Sequence, residues 1–141
     1  MAEQTLNFEL VSPEAKLVSE PVKMAIIPGD EGEFGVLAGH ASLVASLQPG
    51  VVELHGEQDG VEPRRIFIAG GFADVSADGC TVLAEEAFQV SDLDQSEIEQ
   101  QIADLNEDMD RAEEELDKVR VQRRLTLENA KLSAITGKLA V

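Results

Sequence analysis

The chain has 141 residues, 43% of them hydrophobic, and its 28 acidic against 11 basic side chains give a formal net charge of −17 at pH 7. That length supports one modest core, or a small core with an appendage, and the charge argues against direct binding to nucleic acid or to a bare anionic membrane, so any membrane association is expected to run through a protein partner. A lone cysteine, Cys80, excludes an internal disulfide and a cysteine-based zinc site. No apolar run nears the roughly 20 residues of a membrane-spanning helix, and Met1-Ala2-Glu3-Gln4 carries no basic or apolar leader pattern, which makes the cytoplasm the expected compartment.

From Gln4 to about Val90 the pattern is one of short strands separated by turn residues. Leu6, Phe8 and Leu10 alternate with Asn7, Glu9 and Val11, the period-2 signature of a half-buried strand. Val22-Lys23-Met24-Ala25-Ile26-Ile27 follows and stops at Pro28-Gly29-Asp30. The run from Gly32 to Leu43 then sets Gly32, Gly35, Gly39 and His40 between two apolar segments, Met24-Ala25-Ile26-Ile27 and Leu43-Val44-Ala45. Glycine tolerates positive φ and close backbone approach, so this stretch is expected to be tightly turned β structure. Val51-Val52-Glu53-Leu54-His55 comes next, and the polar residues 56–63 suit a hairpin loop. Arg64-Arg65-Ile66-Phe67-Ile68-Ala69 returns to Gly70-Gly71, Phe72-Ala73-Asp74-Val75 leads to a turn at Ala77-Asp78-Gly79, and Cys80-Thr81-Val82-Leu83-Ala84 is the last strand. Turn signals about every 8–12 residues predict an antiparallel β-sandwich or barrel over residues 1–88.

Beyond Phe88 proline and glycine are absent until Gly137, and residues 89–141 read as helix. Asp94 followed by Glu97 is an N-cap with a capping-box partner. Ile98, Ile102, Leu105, Met109, Ala112, Leu116 and Val119 step by 4, 3, 4, 3, 4, 3, one apolar stripe on one helical face. Val121, Leu125, Leu132, Ile135 and Leu139 follow a different phase, so one straight helix cannot present both stripes to one neighbour. The pattern predicts a two-helix antiparallel hairpin that reverses within residues 108–118. Its first arm is acidic and its second carries Lys118, Arg120, Arg123, Arg124, Lys131 and Lys138. Each exposed pair between such arms contributes only about 0–1 kcal/mol, so charge selects orientation without supplying the stability. The expected class is α+β, a sandwich or barrel followed by a helical hairpin.

Catalytic chemistry needs convergent groups of complementary type. His40 and His55 are the only histidines, and neither has a serine or cysteine in a recognised nucleophile context. Asp30, Glu31 and Glu33 lack the spaced oxygen pattern of a calcium loop. Gly29, Gly32, Gly35 and Gly39 precede neither a Gly-Lys-Ser/Thr sequence nor a helix, so they form no phosphate loop. Glu85-Glu86 reads as an exposed strand end.

One resemblance spans about Leu6 to Ala140. The run Gly32-Glu33-Phe34-Gly35-Val36-Leu37-Ala38-Gly39-His40-Ala41-Ser42-Leu43 resembles the G-E-(Leu/Phe)-G-x-x-P-G-H-A-x-L signature of the epsilon subunit of F-type ATP synthases, called delta in mitochondria. Ser12-Pro13 after the first strand, Gly70-Gly71-Phe72-Ala73-Asp74-Val75, Val82-Leu83-Ala84-Glu85-Glu86-Ala87 and the tail opening Asp92-Leu93-Asp94 also match. Ala38 stands where the motif has proline. The resemblance implies a non-catalytic subunit without cofactor, on the rotating central stalk, joining the gamma subunit to the c ring at the cytoplasmic face of the bacterial inner membrane. By position it assigns Glu31, Gly32, Glu33 and His40 to c-ring contact and Ser12 to gamma contact. It makes Asp94, Arg120, Arg123 and Arg124 part of a regulatory hairpin that, when open, meets the catalytic alpha and beta subunits. Some members bind ATP through a (Leu/Ile)-Asp-x-x-Arg-Ala motif. Here Leu93-Asp94 is kept, but Glu97 replaces the arginine, and a carboxylate repels polyphosphate, so weak or absent nucleotide binding is expected. Two other readings fit less well: a nucleotide sensor, against which Glu97 weighs, and an acidic adaptor whose tail forms an intermolecular coiled coil, although ideal heptads run through only half of that tail.

Overall fold

The computed structural model describes residues 5–56 and 60–137. Met1-Ala2-Glu3-Gln4, residues 57–59 of the expected hairpin loop, and Lys138, Leu139 and Ala140 of the tail lie outside the described residues, as does Val141. The chain divides into two compact units, Met1–Gln89 and Val90–Val141.

The first unit holds eight strands: β1 (Leu6–Val11), β2 (Lys16–Val22), β3 (Met24–Gly29), β4 (Gly32–Leu37), β5 (Leu43–His55), β6 (Arg64–Val75), β7 (Gly79–Ala84) and β8 (Ala87–Gln89). They pair in the order β2-β1-β7-β6-β5-β3-β4, with β8 on β6. All pairs are antiparallel except β1 with β7, where Asn7 lies level with Gly79 and Val11 with Leu83. The expected alternation holds in β1: Leu6, Phe8 and Leu10 are buried and Asn7 is exposed.

The long strands β5 and β6 turn this sheet into a sandwich. The first half of β5 and the second half of β6 join β7, β1 and β2, since Gly71 to Val75 pair with β7. Their other halves join β3, β4 and β8, since Ile66 to Ile68 pair with β8 and Glu53 to His55 with β3. Both strands bend between the halves, and there the buried positions change parity. In β6 they pass from Ile66 and Ile68 to Ala73 and Val75; in β5 they pass from Leu47 to Val52 and Leu54. Gly70 and Gly71, at φ of 98° and 148°, allow that reset. Gly71 also lies against β7, where a Cβ would collide with the carbonyl oxygen of Leu83. Sequence reading kept Leu43-Val44-Ala45 apart from Val51-Val52-Glu53-Leu54-His55 and ended a strand at Gly70-Gly71; the structure joins the first two in β5 and carries β6 through. It also adds β2 and β8, which have no strong alternation of their own.

Between the layers lies one apolar core that includes Leu6, Phe8, Leu10, Ile27, Val36, Ile66, Ile68 and Val82. Burying each such side chain stabilises the unit by about 1.5–3 kcal/mol. Cys80 belongs to the same core and is 1% exposed. Burial, and secondarily the charge of Asp74, push its thiol from 9.0 up to about 12.

In the second unit a single 3-10 turn (Val90–Asp92) precedes α1 (Gln95–Arg111) and α2 (Glu115–Thr136), which pack along each other. Asp94 caps α1 as expected, its Oδ1 accepting the Glu97 N–H at 3.1 Å. Gly137 ends α2 in the left-handed conformation, φ 72°, its N–H donating to the Ser133 carbonyl at 2.8 Å. The reversal at residues 112–114 falls inside the expected window, but the first apolar stripe ends there. Leu116 and Val119, assigned to that stripe, are 59% and 51% exposed, because past the reversal the same rhythm points to a different side. Val121, Leu125, Leu132 and Ile135 instead line the inner side of α2, where Leu125 is buried and the others half-buried.

Two measurements test these packings. Gly71→Ala is expected to lower the unfolding free energy by about 3 kcal/mol or more, from backbone collision added to strain. Gly60→Ala, at φ 81° with open space around it, should lower it by about 1–2 kcal/mol. Equal losses in urea titrations would contradict the close approach of Gly71 to β7. For Cys80 the folded thiol holds its proton to a higher pH than the unfolded one, so its contribution to stability is complete below pH 9 and is lost as pH rises toward about 12. Stability of the wild-type chain should therefore fall more steeply over that interval than that of Cys80→Ala, and parallel curves would refute the shift.

Candidate functional site

β3 and β4 are joined by a two-residue hairpin loop. Gly29 pairs with Gly32, leaving Asp30 and Glu31 at the tip. A side chain at Gly29 would meet the Gly32 carbonyl oxygen at 2.8 Å and the Phe34 ring at 3.0 Å, so the loop is closed by backbone packed on backbone. Its position is fixed from the side by the Asp30 N–H, which donates to the Ser46 carbonyl of β5 at 3.0 Å. The loop therefore holds Asp30, Glu31, Gly32 and Glu33 exposed on a firm support.

The bends of β5 and β6 lie at the same end of the sandwich. So does the turn after β1, where the Ser12 N–H donates to the Ala15 carbonyl at 2.9 Å and the Ser12 Oγ accepts the Ala15 N–H at 3.3 Å. A cavity of 730 Å³ joins these parts: Ser12, Asp30, Pro49, Phe72, Leu83 and Glu85 are among its lining residues. A second, of 490 Å³, lies between the acidic loop and β5 and shares Asp30 and Ser46 with the first. Ser12 and the acidic loop thus belong to one surface.

His40 does not. It lies beyond the other end of β4, a strand about 17 Å long at 3.3 Å per residue. There its N–H donates to the Leu37 carbonyl at 3.1 Å, the preceding Gly39 N–H donates to the Ala77 carbonyl at 2.9 Å, and its ring Nδ1 lies 2.7 Å from the Ala41 carbonyl oxygen. The structure does not bring His40 to Glu31 and Glu33, with which the sequence motif grouped it. The backbone is continuous through the motif, but β4 carries it from one end of the sandwich to the other.

Sequence reasoning missed an apolar row on the outer face of the sandwich. Val11 lies level with Leu83 and Leu83 with Phe72, and Phe72 and Leu83 are 55% and 50% exposed. The signal was present in β7: Cys80, Val82 and Ala84 take the core positions, so Leu83 must point outward. With Asp30 and Glu85 beside it, the row forms an apolar floor edged by carboxylates. Such a surface suits a protein segment that offers apolar and basic side chains.

On the helical unit Asp94 is engaged as the cap of α1. Arg120, Arg123 and Arg124 lie together on an exposed side of α2, and none makes an ion pair among the described residues. Three guanidinium groups so placed on one face are a docking point for carboxylates or phosphates. Among the described residues no helix is long and apolar enough to cross a membrane.

Residues 5–90 match the family model of the beta-sandwich domain of the ATP synthase Delta/Epsilon chain, and residues 94–141 match that of the C-terminal domain of the ATP synthase epsilon chain. The ATP synthase epsilon chain of Rhodospirillum centenum is 45% identical over 135 residues, covering 94% of this chain and 92% of its own. That of Rhodospirillum rubrum is 41% identical over 134 residues, covering 95% and 98%. Among solved structures, one polypeptide of the Euglena gracilis mitochondrial ATP synthase (OSCP/F1/c-ring) superposes with a TM-score of 0.83 at 25% identity, covering 93% of this chain and 81% of its own length. Another, from the central stalk and c ring of the Tetrahymena thermophila enzyme, shares the fold, with a TM-score of 0.60 at 14% identity over 97% and 98%. With both units matched in order and relatives aligned along nearly their whole length, the chain belongs to the ATP synthase epsilon chain family.

Proposed function

We propose that this chain is a non-catalytic subunit of the central stalk of a bacterial ATP synthase, coupling rotation of the c ring to the gamma subunit at the cytoplasmic face of the inner membrane. The observation that carries this reading is the gathering of Ser12, the acidic β3–β4 loop and the Phe72–Leu83 row at one end of the sandwich. A torque-bearing subunit needs a support that does not yield, and here the loop is closed at Gly29–Gly32 and tied to β5 through Asp30. Glu31 and Glu33, exposed on that support, would pair with basic side chains on the polar loops of the ring. Ser12 and the apolar row would meet gamma. His40, at the other end, would reach a partner only through a separate surface.

The helical unit would act as a regulator of ATP hydrolysis. Arg120, Arg123 and Arg124, without ion pairs among the described residues, would be captured by acidic segments of the catalytic alpha and beta subunits when the hairpin opens. Nucleotide binding is disfavoured on this chain, since Glu97 lies in the first turn of α1, beside the cap, where family members that bind ATP carry arginine.

The experiment is to assemble the synthase with the full chain and with residues 92–141 deleted, and to measure both retention and hydrolysis. The expected outcome is that both forms co-purify with gamma and the c ring, while deletion raises ATP hydrolysis several-fold. Loss of the deleted form from the complex would contradict the assignment of assembly to the sandwich. Unchanged hydrolysis with full retention would contradict the regulatory role.

A further inference from the structure

Along α2 the side chains Val121, Leu125, Glu128, Leu132 and Ile135 step by 4, 3, 4, 3, and the middle place of this otherwise apolar stripe is held by a carboxylate. Glu128 is 4% exposed, the buried charged residue among those described. Its Oε1 accepts a hydrogen bond from the Lys131 Nζ at 3.3 Å, and the two side chains are 6% and 14% exposed. Nothing in the rotor role calls for ions here; leucine would continue the stripe.

Two physical consequences follow from the placement. First, taking a carboxylate and an ammonium out of water costs more than their attraction commonly returns, and replacing both partners of such a pair by apolar residues is often stabilising. Second, Glu128 and Lys131 lie one turn apart on the same helix, so this bond is kept whichever neighbours α2 has. When α2 separates from what covers it, the pair retains its attraction and regains hydration, whereas a leucine in the same place would lose its burial. Both effects favour separation.

We propose that the Glu128–Lys131 pair is a loosening device, which makes α2 exchange between packed and separated states far more readily than an all-apolar stripe would allow. The device acts within the isolated protein, whatever assembly it joins. It also explains why the stripe is interrupted at its centre, where removal of burial weakens the packing most.

The test is amide hydrogen exchange of the full-length protein, read in α2 with the amides of β6 as internal reference. Replacing both residues, Glu128→Leu with Lys131→Leu, is expected to slow exchange in α2 by about tenfold or more. Lys131→Met alone leaves the carboxylate buried without its ammonium, and should speed exchange by about tenfold. The reversed pair, Glu128→Lys with Lys131→Glu, keeps both ions and should stay within about threefold of wild type. Unchanged or faster exchange in the double leucine variant would overturn the proposal. So would a reversed pair that is as protected as the double leucine variant, because the effect would then not come from paired ions.

Discussion

The close approach of β7 to Gly71, where a Cβ would collide with the Leu83 carbonyl oxygen, is the constraint on which the sandwich depends. It marks the place where β6 leaves one layer for the other and where the buried face of the strand changes parity. A side chain there would force β7 away from β6, and β1 with it, since β1 pairs along the other edge of β7. Beside it Phe72 and Leu83 stand on the outer face, and they line one cavity with Ser12 of the turn after β1 and Asp30 of the acidic loop. A backbone requirement at one residue thus decides which side chains a partner of the sandwich can touch.

The two units differ in the mechanical demands that each is built to meet. The sandwich has a continuous core and a loop tied down by backbone hydrogen bonds, properties suited to transmitting force without deforming. The hairpin has a short connection at residues 112–114, exposed apolar residues just after it, and a charged pair inside its stripe. Its packing is correspondingly open to change. Under the proposed function, turning with the rotor and regulating hydrolysis fall to separate parts of the molecule.

Local rules made much of this legible in the sequence. Alternation in Leu6, Phe8 and Leu10, the stop at Pro28-Gly29-Asp30, the Asp94 cap and the change of phase between the helical stripes depend on near neighbours, and each has its expected counterpart in the structure. Features set by distant pairing were not legible. Pro49-Gly50 and Gly70-Gly71 look like breaks in single-strand terms, yet the constant register between β5 and β6 carries both strands through. The parallel pairing of β1 with β7 has no local signature at all. Leu116 and Val119 continue a rhythm that the reversal makes irrelevant, and Glu128 reads only as an acid within the basic arm, because its neighbours, not its own type, make it unusual. For the site, the motif placed Glu31, Glu33 and His40 close in sequence, while the extended β4 separates them in space.

Under the proposed function, one end of the sandwich, bearing the acidic loop, Ser12 and the Phe72–Leu83 row, is the surface buried in the assembled synthase. Hydrogen exchange compared between the isolated protein and the same protein within the intact complex tests it most directly. Added protection is expected in residues 28–34, 69–72 and 83–86 on assembly. Protection confined to the opposite end, at residues 37–42 and 75–79, with the acidic loop exchanging as in the isolated protein, would contradict it.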